Sequence, residues 1–103
     1  MKYQAIYVTT RDEDEARRIG RVLVTEGLAA GANIHPVKSI YRWRGEIKET
    51  AEAVMIVKTR AELVDKLIKR VTELHSYEVP GIMSLPIETG NPDYLNWITE
   101  VTG

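Results

Sequence analysis

The sequence predicts an α+β domain in which one antiparallel sheet carries helices on a single face. Three observations support this. Strand-like and helix-like segments follow one another as β-α-β-β-α-β-α along 103 residues, the length of one domain. Ala53-Val54-Met55-Ile56-Val57 is an unbroken apolar row. Successive strand side chains point to opposite faces, so Ala53, Met55 and Val57 share one face, Val54 and Ile56 the other. Burying a Val, Ile or Met side chain is worth about 1.5–3 kcal/mol, so both rows need cover. Finally, Trp43-Arg44-Gly45-Glu46 reads as a tight turn within the extended stretch Ala30–Thr59.

Taken in order, Tyr3–Thr9 is a first strand with apolar residues on both faces. Thr10 with Glu13, or Asp12 with Glu15, has capping-box spacing, and acidic residues suit the positive end of a helix dipole. A helix is predicted over Glu13–Glu26, its buried face carrying Ala16, Ile19, Gly20 and Leu23, with Gly27 as C-terminal cap. Leu28–His35 begins a second strand. Pro36, unable to donate to a ladder, predicts a bend or bulge, with pairing resumed at Val37.

A two-residue hairpin over Arg44-Gly45 sets Trp43 opposite Glu46, Tyr41 opposite Lys48 and Ser39 opposite Thr50. Thr59 and Glu62 have the spacing of a second capping box, opening a helix whose stripe is Leu63, Leu67, Val71 and Leu74 and which ends near His75. Ile82–Ile87 is a fourth strand, placed at an edge by Pro86. Asn91-Pro92-Asp93 starts a short closing helix.

The first six elements match the split βαβ, ferredoxin-like pattern, with residues 1–103 as one domain. Two helices cover only one sheet face. The apolar residues opposite, and a hairpin arm too polar and too long to stand alone in water, predict burial against further copies of the chain. The net charge of −1 leaves no basic footprint for nucleic acid. The absence of cysteine excludes disulfides and thiolate metal sites and suits a cytoplasmic protein. No apolar run approaches a membrane span and no signal-peptide pattern is present, so a soluble domain without membrane partners is expected.

Several motifs carry a resemblance. Leu28-Ala29-Ala30-x-Ala32-Asn33-Ile34, Ser39-Ile40-Tyr41-Arg42-Trp43-x-Gly45-Glu46, Lys58-Thr59, Leu74-His75-x-Tyr77-Glu78-Val79-Pro80 and Gly90-Asn91-Pro92-x-Tyr94-Leu95-x-Trp97 resemble the CutA family of divalent-cation tolerance proteins over essentially the whole chain. The resemblance implies a homotrimer with strands joined across subunits, similar in architecture to the PII signalling proteins. It also implies a non-enzymatic role with copper or another divalent cation, weakly bound. Positions where family members carry cysteine correspond here to Gly31 and to about Val8 or Thr9. Soft ligation is then left to methionine, and Met55 and Met83 read as core residues.

The remaining metal candidates are His75 with Glu78, the imidazole standing where a helix C-terminus would equally explain it. His35, beside Pro36, reads as structural or exposed. Tyr41, Trp43, Glu46, Lys58 and Tyr77 have the composition of a small-ligand cleft between subunits, though aromatics and paired charges are equally the makings of a sealed interface. The alternative function is a PII-like module binding a small anionic molecule in that cleft. An acylphosphatase-like phosphate clamp at Arg11 is opposed by Asp12, Glu13, Asp14 and Glu15 beside it.

Overall fold

A computed structural model describes residues 2–103; Met1 lies outside the described residues. Strand β1 (Tyr3–Thr10), helix α1 (Glu13–Thr25), strands β2 (Gly31–Trp43) and β3 (Glu46–Arg60), helix α2 (Val64–Leu74), strand β4 (Ile82–Ile87) and helix α3 (Pro92–Thr102) follow in sequence, with a 3-10 turn at Ala61–Leu63. The sheet order is β2-β3-β1-β4, every neighbouring pair antiparallel. This is the expected split βαβ arrangement.

Strand alternation and helical periodicity meet on one side of the sheet. Ile6 and Val8 of β1 and Ala53, Met55 and Val57 of β3 pack with Ala16, Ile19 and Leu23 of α1 and Leu67 and Val71 of α2, all wholly buried. A helix covers the opposite side only at one end, although Val54 and Glu52 toward the other end are also buried. At the covered end α3 packs Ile98 and Leu95 against Tyr3, Ala30 and Ile87, and the Tyr3 hydroxyl meets Thr99 Oγ1 at 2.6 Å. Beyond α3 this face lies open: Met83 and Leu85 of β4 are 55% and 48% exposed, beside the half-buried Tyr7 and Ile56. Met83 is therefore not a core residue, whereas Met55 is.

The helix ends explain two departures from expectation. Helix α1 opens as predicted by the Asp12–Glu15 pair, Asp12 Oδ1 accepting from Glu15 N–H at 2.8 Å. It closes through Gly27, whose φ of 74° allows Leu28 N–H to reach Leu23 O and Gly27 N–H to reach Val24 O, a Schellman closure. Leu28 and Ala29 are spent on that exit, so β2 begins at Gly31. Thr59 does not cap α2. It remains in β3, and its hydroxyl donates to Leu28 O at 2.7 Å, tying the Schellman exit to the sheet.

Pro36 also behaves differently from expectation. Pairing of β2 with β3 runs from Gly31↔Lys58 to Trp43↔Glu46 with no skipped residue, Pro36 facing Ala53. The strand lies at the sheet edge, where one side of its backbone has no ladder to complete, so a missing N–H is tolerated without a bulge. The turn has φ of 50° at Arg44 and 81° at Gly45, the type I′ signature, and it locks the predicted register. Gly45→Ala should cost about 1–2 kcal/mol through backbone strain alone, because a Cβ there meets no atom within 4 Å. A lowered urea midpoint with an unchanged slope would register it.

Candidate functional site

Trp43, Tyr41 and Ser39 project from one face of β2, two residues apart. Glu52 of β3, opposite Val37, continues that face toward the sheet body. The segment between α2 and β4, with Thr9 at the end of β1, closes the other side. Between them lies a cleft of about 570 Å³ lined by Ser39, Tyr41, Trp43, Glu52, Tyr77 and Glu78, with Thr9, Ser76, Val79 and Gly81 completing the wall. That volume lies within the range of small-ligand sites.

A buried polar network holds the loop wall in place. The His75 side chain is wholly buried, its Nε2 2.7 Å from Thr9 O and its Nδ1 3.1 Å from Tyr77 N. A backbone N–H only donates, so Nδ1 accepts and Nε2–H donates, which fixes a neutral tautomer. Glu15, also wholly buried, accepts from Arg11 N–H at 2.8 Å and Ser76 N–H at 3.0 Å. Burial pushes its carboxyl up, but the hydrogen bonds from Arg11 and Ser76 outweigh it and hold the group below the usual glutamate range. Thr9 N–H donates to Gly81 O at 3.0 Å, closing the far end of the segment.

Upon this base Tyr77 leans against His75, ring centroids 4.9 Å apart, and its hydroxyl donates to Glu52 Oε2. Burial first, and the Glu52 carboxylate second, push the Tyr77 phenol far above its usual value, so it stays an O–H donor. At the mouth Arg44 Nη2 donates to Glu78 Oε2 at 2.7 Å, and the guanidinium carbon sits 5.3 Å from the Trp43 ring centroid.

The structure thus brings together Tyr41, Trp43, Tyr77 and Glu78, with His75 beneath them. It does not bring Glu46 or Lys58 to the cleft wall. Glu46 lies 3.8 Å from Lys48 on the outer arm. Lys58 pairs with Gly31, donates to Asn33 Oδ1, and is held below the usual lysine range by burial. Glu46 and Lys58 stand twelve positions apart on β3, about 40 Å of extended chain, so the cleft of one chain does not contain both. Sequence reasoning missed Glu52 and Ser76. Glu52 could have been found as the one carboxylate abutting the apolar row on the Ser39 and Tyr41 side; Ser76 carries no local signal.

The metal assignment of His75 with Glu78 does not fit this geometry. Both imidazole nitrogens are engaged, and the Glu78 carboxylate faces Arg44. Among the described residues no cluster of three His, Cys, Asp or Glu is placed to hold a metal ion. The cleft wall also carries two carboxylates and no lysine or arginine, the wrong sign for the anionic ligand of the alternative reading. At the start of α1, Arg11 is matched by Asp12 at 3.2 Å, whose hydrogen bond and charge hold the guanidinium above its ordinary value, so it is no free phosphate clamp.

A profile of the family described as CutA1 divalent ion tolerance protein matches residues 4–101. The divalent-cation tolerance protein CutA of Thermus thermophilus is 46% identical over 101 residues, covering 97% of this chain and 98% of that protein. Mouse protein CutA is 43% identical over 99 residues, covering 95% of this chain but 56% of its own length. The chain spans little more than half of several such eukaryotic relatives. Among solved structures, one described as the periplasmic divalent cation tolerance protein CutA from Archaeoglobus fulgidus superposes with a TM-score of 0.96 at 40% identity, covering 98% of this chain and 99% of that one. The Thermus thermophilus structure gives 0.94 at 46% identity, covering 98% and 99%. Among the described residues no helix is long and apolar enough to cross a membrane.

Proposed function

The chain belongs to the CutA1 family of divalent ion tolerance proteins, and from that premise we propose that it acts without catalysis as a cytoplasmic homotrimer in the response to divalent metal ions, copper among them. The observation that carries this reading is the stretch of sheet face that α3 leaves uncovered. Met83 and Leu85 on that face, with Ile40 and Ile47 on the arm, are large apolar side chains between 48% and 71% exposed. Leaving such a face in water forfeits several kcal/mol that a neighbouring copy would recover. The β2–β3 arm, in a chain 44 Å long but only 25 and 21 Å across, supplies the reach to lie on that neighbour.

Metal contact in this proposal is weak and made by exposed carboxylates rather than by His75. One chain offers no cluster of three donors among its described residues, and a divalent ion held by fewer keeps most of its water. Light scattering at micromolar concentration should give three times the 11.7 kDa chain mass. Calorimetric titration with Cu²⁺ and Zn²⁺ should give weak heats that survive His75→Ala, with circular dichroism confirming that the variant folds. A monomer would overturn the assembly, and binding abolished in the folded variant would return the imidazole to the site.

A further inference from the structure

We propose that the cleft between the hairpin arm and the Ser76–Gly81 segment binds a small organic cation, a guanidinium compound, with Glu52 as its counter-ion. The proposal rests on the cleft within one chain and stands apart from the metal role. Glu52 is only 8% exposed, and no lysine, arginine or histidine among the described residues forms an ion pair with it. Its Oε2 accepts from Tyr77; its other oxygen receives no hydrogen bond from a described side chain. No wholly buried side-chain oxygen among the described residues is left without a partner, so that second oxygen opens to the cleft. A carboxylate removed from water without a cation is costly, and the cost is relieved when a cation enters.

The walls select the kind of cation. Tyr41, Trp43 and Tyr77 line the space, and aromatic faces attract weakly hydrated organic cations whose charge is spread over several atoms. A hard divalent ion would need several oxygen ligands in place of its water, and the cleft wall holds two carboxylates, each already accepting one hydrogen bond. The chain itself displays the preferred pairing at the mouth. The Arg44 guanidinium, on a side chain 68% exposed, rests against Trp43 and Glu78 together. The inner seat at Glu52 repeats that combination of carboxylate and aromatic ring without a cation supplied by the chain. The volume of about 570 Å³ admits a charged head with a short carbon chain.

Agmatine is the probe, with glutarate as its anionic counterpart and n-butylurea as its neutral one. Calorimetry on the intact protein should show agmatine binding saturably while glutarate and n-butylurea do not. Glu52→Gln, which keeps an acceptor for Tyr77 but removes the charge, should weaken agmatine at least about tenfold. Trp43→Leu, at an exposed position, should weaken it several-fold and carries the test if Glu52→Gln fails to fold. Arg44→Ala should leave binding equal or tighter, since it removes a competing cation. Absence of agmatine binding, equal binding of glutarate or n-butylurea, or indifference to both Glu52→Gln and Trp43→Leu would overturn the proposal. So would displacement of agmatine by Cu²⁺, which would make the carboxylates a metal site. Agmatine binding in a protein that takes up no Cu²⁺ would support it while removing only the metal role.

Discussion

Glu15→Ala is expected to destabilise the fold by about 3–5 kcal/mol, among the largest losses available to one substitution in this chain. The wild-type carboxylate is wholly buried and accepts from two backbone N–H groups on different elements, Arg11 before α1 and Ser76 after α2. Alanine leaves both donors without partners and opens a void beneath the cleft. Glu15→Gln separates the charge from the shape. Its amide oxygen can serve Arg11, but its NH₂ then faces the Ser76 N–H, donor against donor, and a loss of about 2–4 kcal/mol is expected.

The pH dependence of the same group follows from its depressed folded-state value. Its contribution is fully present above the ordinary glutamate value of about 4.3 and disappears as pH falls through the lower folded value. The gap between wild type and Glu15→Gln should therefore be constant near neutrality and narrow only in acid. Urea unfolding at one fixed protein concentration measures both effects. A Glu15→Gln variant as stable as wild type at neutral pH would remove the carboxylate from the scaffold of the cleft.

The paired substitution Met83→Asp and Leu85→Asp should break the assembly and leave the chain folded. Both side chains are about half exposed within one chain and point away from the main core, so the fold does not depend on them. In an assembly that buries this face, each subunit would carry two unpaired carboxylates into an apolar contact, at several kcal/mol apiece. Light scattering should then return 11.7 kDa while the far-ultraviolet spectrum is preserved. A variant that stays trimeric would move the interface to another surface.

How legible all this is in the sequence depends on how local the deciding physics is. The register of the arm could be read because two left-handed turn residues fix it within four positions of chain. The Asn91 cap followed by Pro92, and the edge position of β4 with its Pro86, were equally local and stand as expected. Thr59 was misread because its hydroxyl is claimed by Leu28 O, 31 residues away, a partner that capping-box spacing does not reveal. Pro36 was misread because its effect depends on which strand of the sheet is outermost. The cleft was half legible: Ser39, Tyr41 and Trp43 share a face by alternation alone. Glu52 meets Tyr77, and Glu15 meets Ser76, only once the α2–β4 segment has folded back over β1. Lys58 and Glu46 are grouped by chemistry alone, and the length of extended chain between them keeps both out of the cleft that one chain forms.

The position of β1 inside the sheet sets a chronology for the nascent chain. β1 is synthesised before both of its neighbours, β3 and β4, whose last paired residues are Arg60 and Ile87. The hairpin can zip from its own turn on the microsecond scale of local events, whereas β1 must wait for segments made later and then close long loops. The face that the proposed assembly would cover is thus completed only after Ile87 has been made, when β4 brings Met83 and Leu85 into line with Tyr7 and Ala5. In the proposed assembly, a chain made only as far as the arm would have no finished surface to receive another, so encounters between growing chains would be unproductive.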